Sequence, residues 1–398
     1  MTEDNKIVLM ASSAHLLTHA YMMIFPTVLV LIANDTALGV TEYFQLGTIG
    51  TLCYALFGIG AIPSGILADR YGSKKMLSAC LLISGLASVG AGLSYSVYPF
   101  VIAMMSLGLG ASMYHPSGLS FISRNVKQKG KAMGCHGVGG NIGLAIGPVV
   151  SGAAGAVWGW RSAFLIFGIA GVLLGMMVLR SSAQDQMIPP HQAKPSHEPE
   201  GPSPAVLPVL ILFMVYGTSI MYGLVYRGTM MYFPKHFVHN IGFAAGDVAK
   251  AGLLVSMVSM VGVLGQLWGG TLCDKLKRPE YVYLMVFVFT TPLFFAIWLL
   301  RDWALLRVSL VFAPFFFAWQ PIQNTLIAKY SVHKAHGISY GANFLLIMGV
   351  GSLAASFGGF ITDHIGVAYV FASLGIISAV ALVFVFTLLR KMAVRYGG

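Results

Sequence analysis

Long apolar runs separated by short polar stretches dominate the chain. A membrane-spanning helix needs about 20 consecutive apolar residues, and twelve stretches of that kind fit the sequence. The pattern therefore predicts an all-α polytopic membrane protein with twelve transmembrane helices. The predicted spans are residues 7–33, 43–68, 74–95, 97–121, 131–157, 162–180, 205–232, 250–273, 281–300, 303–328, 336–362 and 366–390.

One polar stretch, residues 181–204, interrupts the series of spans. It contains six prolines and too few apolar residues to build a core. We expect a cytoplasmic linker here, between an N-terminal six-helix half at residues 1–180 and a C-terminal half at residues 205–398.

An internal repeat relates these two halves. Gly65-Ile-Leu-Ala-Asp69-Arg70 returns 205 positions later as Gly270-Thr-Leu-Cys-Asp274-Lys275, and His115-Pro116 falls on Gln320-Pro321. With two more positions of shift, His136 falls on Asn343. Internal repeats in a membrane protein indicate a pseudo-symmetric transporter with its site between the repeats.

Composition and charge agree with a membrane protein. The chain is 57% hydrophobic and only 9% charged, with a mean hydropathy of +0.78. Its net charge of +11 does not predict nucleic-acid binding, because eighteen of the 24 Lys and Arg residues lie at the termini or in alternate loops. By the positive-inside rule, we expect these loops and both termini on the cytoplasmic side of the cell (inner) membrane.

The stretch Gly65-Ile-Leu-Ala-Asp69-Arg70-Tyr-Gly72-Ser-Lys74-Lys75 resembles the signature loop of the major facilitator superfamily, with Ser73 where Arg or Lys is more usual. The resemblance implies a twelve-helix transporter that works by alternating access, and a monomer. It also implies a gating role for this loop. We expect these residues to stabilise the state closed to the cytoplasm: Gly65, Asp69, Arg70, Gly72, Lys74, Arg124 and Asp274.

Two further stretches carry a resemblance within that superfamily. Gly143-x-x-x-Gly147-Pro148-x-x-Ser151-Gly152 is similar to its antiporter motif, which favours an exporter. The resemblance adds Gly143, Gly147 and Pro148 to the expected gating residues, and general close packing of helices is the alternative. The stretch from Met113 to Gly143 resembles the fosmidomycin-resistance type of efflux carrier. Where that group tends to carry Asn-Asp in its first helix, this chain has Thr18-His19.

Candidate substrate-binding residues follow from polar groups inside the spans, which are costly in lipid and usually face a cavity. In the superfamily the first, fourth, seventh and tenth helices line that cavity, which implies a binding role for His19, His115, Arg227 and Gln320. Further candidates are Tyr222, Asn343, Met23 and Met230. The alternatives are buried structural histidines, and an Arg227 side chain that extends to the lipid headgroups.

The acidic residues bear on the substrate and on coupling. All 13 are predicted outside the middle of the membrane. A cavity with Arg and His but no carboxylate should prefer an anionic, zwitterionic or amphipathic solute. Proton coupling would then fall to histidine, or to Asp35 or Asp363 at the outer edge, and transport without protons is the alternative.

A second hypothesis is transport of a transition metal or a metal chelate. The chain has 21 methionines and 11 histidines, and His15, His19, Met23 and His115 offer suitable ligands. An enzyme or receptor is the third class, but the sequence has no nucleophile elbow, zincin motif or phosphate loop. We therefore expect no enzymatic activity and no cofactor, with a small-molecule substrate and the lipid bilayer as partners.

Overall fold

The computed structural model describes residues 2–183, 185, 206–276, 278–330 and 336–396, and within them it contains no β-strand. Twelve helical segments follow one another, as the sequence predicts. They are α1 (Glu3–Ala33), α2 (Tyr43–Ile59 and Ala61–Tyr71), α3 (Ser73–Gly92), α4 (Val97–Ser112 and Tyr114–Asn125), α5 (Lys129–Trp158), α6 (Trp160–Arg180), α7 (Val206–Asn240), α8 (Val248–Lys275), α9 (Glu280–Leu299), α10 (Asp302–Tyr330), α11 (His336–Phe344 to Leu353–His364) and α12 (Ala368–Tyr396).

These helices suit a bilayer in length and composition. In the described part, ten are long and apolar enough to cross a membrane, and α2 makes eleven if its two pieces form one span. Helix α7, with 35 residues, is long enough as well. The protein is therefore a multi-pass membrane protein. We call the end where α1 meets α2 the Asp35 end, and the opposite one the Asp69 end.

Some predicted boundaries were wrong. Helix α7 continues eight residues beyond the predicted end at residue 232, because the polar Lys235 and His236 are buried inside the bundle. The His236 ring donates to the Ile297 carbonyl across 3.1 Å, so a polar residue there does not end the helix. Most of the predicted linker, residues 181–204, lies outside the described residues.

Helices α2 and α4 are both broken, and the breaks face each other. Helix α2 bends by 43° at Gly60, where a Cβ atom would lie 2.4 Å from the Ser112 hydroxyl. Helix α4 breaks at Met113, and Pro116 then lies in the first turn of the new segment, where its missing N–H costs nothing. The break places Tyr114 and His115 at the start of a helix.

The signature stretch is more helical than the sequence predicts. Gly65 to Tyr71 form the last turns of α2, and the turn itself is Gly72, whose φ of +94° favours glycine. Arg124 donates to the Asp69 carboxylate, so this ion pair joins α4 to α2 within the first six helices. The Lys74 ammonium donates to the Ser181 carbonyl at 2.5 Å.

The two halves contact each other directly along two helix pairs, α2 with α11 and α5 with α8. The Thr51 hydroxyl donates to the Ser352 carbonyl across 2.9 Å. Between α5 and α8, the Asn141 amide donates to the Gln266 side-chain oxygen at 2.9 Å. A Cβ atom on Gly47 would lie 2.2 Å from the Ala355 carbonyl oxygen. The backbones of α2 and α11 therefore touch in the first turns of α2, toward the Asp35 end.

Candidate functional site

A cluster of histidines lines the first half where it faces the second. His15 and His19 lie one turn apart on α1, so their side chains share a face, and their Nε2 atoms are 3.1 Å apart. The His15 Nδ1 atom is 2.8 Å from the His136 carbonyl oxygen on α5. The His115 ring of α4 lies 5.6 Å from that of His15 and 6.0 Å from that of His19, centre to centre.

Aromatic rings cover this cluster on the side of the second half. His115 packs against Phe57 of α2 at 6.1 Å and against Phe344 of α11 at 5.4 Å between ring centres. Phe57 and Phe344 also touch each other, at 5.4 Å. His115 thus lies where the two halves meet, beside a contact that has to open if the halves separate.

The glycines of α5 bring the histidines within reach. A Cβ atom on Gly140 would lie 2.5 Å from the His15 ring, and one on Gly143 would lie 2.2 Å from the Leu16 carbonyl oxygen. Gly147 packs on the Cβ atom of the buried Met23. The carbonyl of Pro148 faces α8. The glycine-rich motif therefore serves close packing of α5 on α1 and on α8.

Arg227 of α7 reaches across to the first half. Its side chain is only 2% exposed, and its guanidinium carbon lies 4.3 Å from the centre of the Tyr54 ring on α2. The rings of Tyr226 and Phe57 lie at 5.5 and 5.9 Å, and the Met348 sulfur accepts a hydrogen bond from it. The side chain therefore does not extend to the membrane surface.

Arg227 has no acidic partner in the described part of the chain. None of the ion pairs there includes it, and its Nε atom is buried without a hydrogen-bond acceptor. Its guanidinium carbon and the His115 ring both lie against the Phe57 ring, at 5.9 and 6.1 Å from its centre. A buried cation without a counter-ion is costly, and an anion placed beside it would relieve that cost.

The described carboxylates all lie at or beyond the helix ends, away from the histidines and Arg227. Asp35 pairs with Arg161 at 2.6 Å, and Asp363 accepts from backbone N–H groups of α2. The buried Glu280 pairs with Lys329 at 2.6 Å. The described carboxylates are those of Glu3, Asp4, Asp35, Glu42, Asp69, Asp185, Asp247, Asp274, Glu280, Asp302 and Asp363.

The other predicted binding residues lie apart from the histidines. Tyr222 stacks on Trp319 with 3.5 Å between ring centres, inside the second half. The Asn343 side-chain oxygen accepts from the Ser219 hydroxyl at 2.7 Å, also inside that half. Gln320 is exposed and 3.5 Å from Gln266. Met230 is buried.

The structure thus brings three predicted residues together, namely His19, His115 and Arg227. It adds Tyr54, Phe57, Phe344 and Met348, which the sequence analysis missed. One feature of the sequence pointed to His136, namely its position in the repeat opposite Asn343. The aromatic residues had none, because apolar rings in an apolar helix look alike whether they face lipid or Arg227.

Comparison with known proteins agrees with this architecture. The family description "Major Facilitator Superfamily" matches residues 11–356. Over 329 residues the chain is 26% identical to a probable hexose phosphate transport protein of Chlamydia muridarum, covering 75% of this chain and 72% of the relative. Over 147 residues it is 30% identical to a probable L-galactonate transporter of Escherichia coli, a match that covers 36% of this chain and 32% of the relative.

A solved structure of low sequence identity shows the same fold. It is a bacterial homolog of the human lysosomal transporter Spinster, in an inward-facing and occupied conformation. The TM-score is 0.79 at 15% identity, with 97% of each chain covered.

Proposed function

Because the chain belongs to the Major Facilitator Superfamily and is a membrane transporter of small solutes rather than an enzyme, we propose that its substrate is a small organic anion carried by alternating access. One observation carries the proposal. Arg227 is buried between the halves, and no described carboxylate neutralises it. The planar guanidinium suits a carboxylate or a phosphate, which it can bind with two parallel hydrogen bonds.

The relatives support an anionic substrate. Hexose phosphates and L-galactonate, the solutes in the names of the two relatives, both carry negative charge and several hydroxyl groups. A compound of this class would place its charged group at Arg227. Its hydroxyl groups would meet the imidazoles of His19 and His115, which can donate or accept hydrogen bonds.

The remaining candidates have supporting roles in this proposal. Gln320, which is exposed and contacts Gln266, would line the substrate path. Tyr222 and Asn343 hold the second half rigid behind Arg227, through the Trp319 stack and the Ser219 hydrogen bond. Met23 and Met230 are buried and apolar, and would form walls of the binding site.

The moving bodies in this mechanism are residues 1–180 and 205–398, joined by residues 181–204. The positive-inside rule places the basic Asp69 end and both termini in the cytoplasm. We assign gating to Asp69 and Arg124 as well: their ion pair lies within the first half and holds the ends of α2 and α4 together, so that this end would meet the second half as one surface. The gating set is completed by Gly65, Arg70, Gly72, Lys74, Asp274, Gly143, Gly147 and Pro148. One chain suffices for the cycle.

Direction and coupling follow from two hypotheses. The Gly143–Pro148 motif and the resemblance to the fosmidomycin-resistance type favour efflux. His19 and His115 would carry the coupled proton, since the described carboxylates lie at the helix ends. Exchange of one anion for another, without protons, is the alternative. Counterflow in proteoliposomes with and without a pH gradient separates the two.

The experiment that tests the substrate class is a thermal-shift screen of purified protein. The panel contains sugar phosphates, aldonates and aromatic carboxylates, with the matching neutral sugars and alcohols beside them. An anion at 100 times its dissociation constant should stabilise the folded state by about 2.7 kcal/mol. Each hit is then tested for uptake or exchange in proteoliposomes.

Two variants locate the binding site. Arg227→Gln should remove the shift and the transport of the anion, whereas Arg307→Gln, at an exposed arginine in α10, should leave both unchanged. If neutral solutes stabilise the protein as well as the anions do, or if Arg227→Gln binds the anion as tightly as the wild type, the proposal is wrong.

A further inference from the structure

We propose that His15, His19 and His115 form a binding site for a divalent transition metal of the Zn²⁺ or Co²⁺ type, between α1 and α4. Each histidine offers one ring nitrogen, and the three nitrogens lie within 4.8 Å of one another. Tetrahedral Zn²⁺ with bonds of about 2.0–2.1 Å holds its ligand nitrogens roughly 3.3 Å apart. The 3.1 Å separation of the His15 and His19 Nε2 atoms is already close to that value.

His15 is oriented as metal-binding histidines usually are. A carbonyl oxygen can only accept, so the His15 Nδ1 atom carries the proton and donates it to the His136 carbonyl at 2.8 Å. This leaves the lone pair of neutral His15 on Nε2, which points at His19. Metal ligands commonly use such a backbone carbonyl to fix the tautomer and the ring plane.

His19 supplies the second nitrogen. Without a metal, the contact between the two Nε2 atoms requires a proton on His19 Nε2, because His15 Nε2 is the acceptor. The His19 Nδ1 atom is buried and has no hydrogen-bond partner in the described structure. When a metal takes the place of the shared proton, that proton can move to His19 Nδ1, so no net proton is gained or lost.

His115 supplies the third nitrogen. Within the described part of the chain it is held by ring contacts with the other histidines, Tyr114, Phe57 and Phe344, and not by a hydrogen bond. Its ring can therefore move toward the other two at no cost in hydrogen bonds. Three imidazoles without a carboxylate suit zinc, cobalt, nickel or copper, and not magnesium or calcium.

The site would travel with one moving body. All three ligands lie on α1 and α4, so the metal does not tie the two halves together. Its fourth position would take water or an anion, and its charge would add to that of Arg227. The site does not depend on the proposed transport of anions, because its ligands are complete without a substrate.

The test is a titration of tag-free, chelator-treated full-length protein with Co²⁺. One equivalent should bind and produce the intense visible band of tetrahedral cobalt, and Zn²⁺ should displace it. Loss of one ligand should weaken binding tenfold to a hundredfold, so His19→Ala and His115→Gln should each raise the dissociation constant by at least tenfold. His364→Ala, at an exposed histidine of α11, is the matched control and should bind as the wild type does.

Folding of each variant is checked by its unfolding temperature in the absence of metal. The proposal is overturned if the wild type gives no tetrahedral band, or if folded His19→Ala and His115→Gln keep the wild-type affinity for Co²⁺. Anion binding is measured in parallel on the chelator-treated protein. Anion shifts without a cobalt site would leave the proposed function standing, and a cobalt site without anion shifts would leave only the metal site.

Discussion

Asp363, near the end of α11, caps the start of α2 in the other half of the molecule. Its carboxylate accepts the backbone N–H groups of Tyr43 at 2.9 Å and Phe44 at 2.7 Å, 320 and 319 residues away in sequence. A carboxylate at a helix N-terminus satisfies free N–H groups and meets the positive end of the helix dipole. The Lys235 ammonium lies 3.6 Å from the centre of the Tyr43 ring. The two halves are thus held together at the Asp35 end.

Asp363→Ala should weaken the contact between the two halves at the Asp35 end. Loss of a helix cap costs about 1 kcal/mol, which moves an equilibrium between closed and open states roughly fivefold toward open. Spin labels at Ala37 and Phe243, in a background without the exposed Cys135, report the separation of the halves at this end. We expect the long-distance population to grow.

The matched control for this prediction is Asp302→Ala. Asp302 accepts the Gly242 N–H at 2.7 Å at the same end of the protein, but both residues belong to the second half. Its removal should lower stability and leave the label distances unchanged. Equal distance changes in the two variants would show that Asp363 acts only on stability.

Tyr54 should position the guanidinium of Arg227. The ring lies 4.3 Å beneath it, and the Tyr54 hydroxyl is held by the Met22 carbonyl at 2.9 Å. Such a contact is worth about 0.5–2 kcal/mol, so Tyr54→Leu should weaken anion binding roughly twofold to thirtyfold. Tyr54→Phe keeps the ring and should bind almost normally. Dissociation constants from thermal-shift titrations compare the three proteins, and an equal loss in Tyr54→Phe would contradict the role of the ring.

The sequence predicts the fold better than the site. Apolar length determines the spans, because every backbone polar group in lipid must be bonded within the helix, and the repeat relates the halves. The cavity depends on which face each helix turns inward. The sequence makes His19, His115 and Arg227 candidates because polar groups in lipid are rare. Tyr54 was missed because its chemistry is ordinary in a membrane helix.

The positions of the helix breaks could not be predicted from the sequence either. The sequence of α4 places Pro116 where a kink is expected, but the break occurs at Met113, so that the proline lies in the first turn of the new segment. In α11, one turn of π-helix at Leu345–Gly349 carries Met348 toward Arg227. Tertiary packing and not local propensity selects such a turn, and turns of this kind are frequent at functional sites.

Gly143→Ala should separate α5 from α1. The new methyl group would lie 2.2 Å from the Leu16 carbonyl oxygen, and a backbone atom cannot move aside cheaply. Overpacking of this kind costs about 1–3 kcal/mol. Gly137→Ala, on the same helix with nothing within 4 Å, is the control and should be neutral or slightly stabilising. Unfolding temperatures in detergent measure both, and equal temperatures would show that α5 and α1 tolerate the added group.

Asp35 should stabilise the protein in a pH-dependent way. Burial opposes its charge, but hydrogen bonds from Trp160 and Arg161 and the charge of Arg161 outweigh this, so the pKa of Asp35 lies below 3.8. A carboxyl whose pKa is lower in the folded state stabilises that state above its unfolded pKa, and the contribution is lost as the pH falls through the folded pKa. The Asp35 carboxylate is 2.6 Å from Arg161, and both side chains are about one-fifth exposed.

Asp35→Asn should therefore lower the free energy of unfolding by about 1–2 kcal/mol at pH 7, a value reduced for partial exposure. The difference from the wild type should shrink as the pH falls below the unfolded pKa of Asp35 and disappear once the pH is below the lowered folded pKa. Glu42→Gln is the control, because Glu42 is exposed and its side chain makes no hydrogen bond to the start of α2. Denaturant unfolding at several pH values measures all three proteins. A pH-independent loss in Asp35→Asn would mean that Trp160 and Arg161 need the shape of the side chain and not its charge.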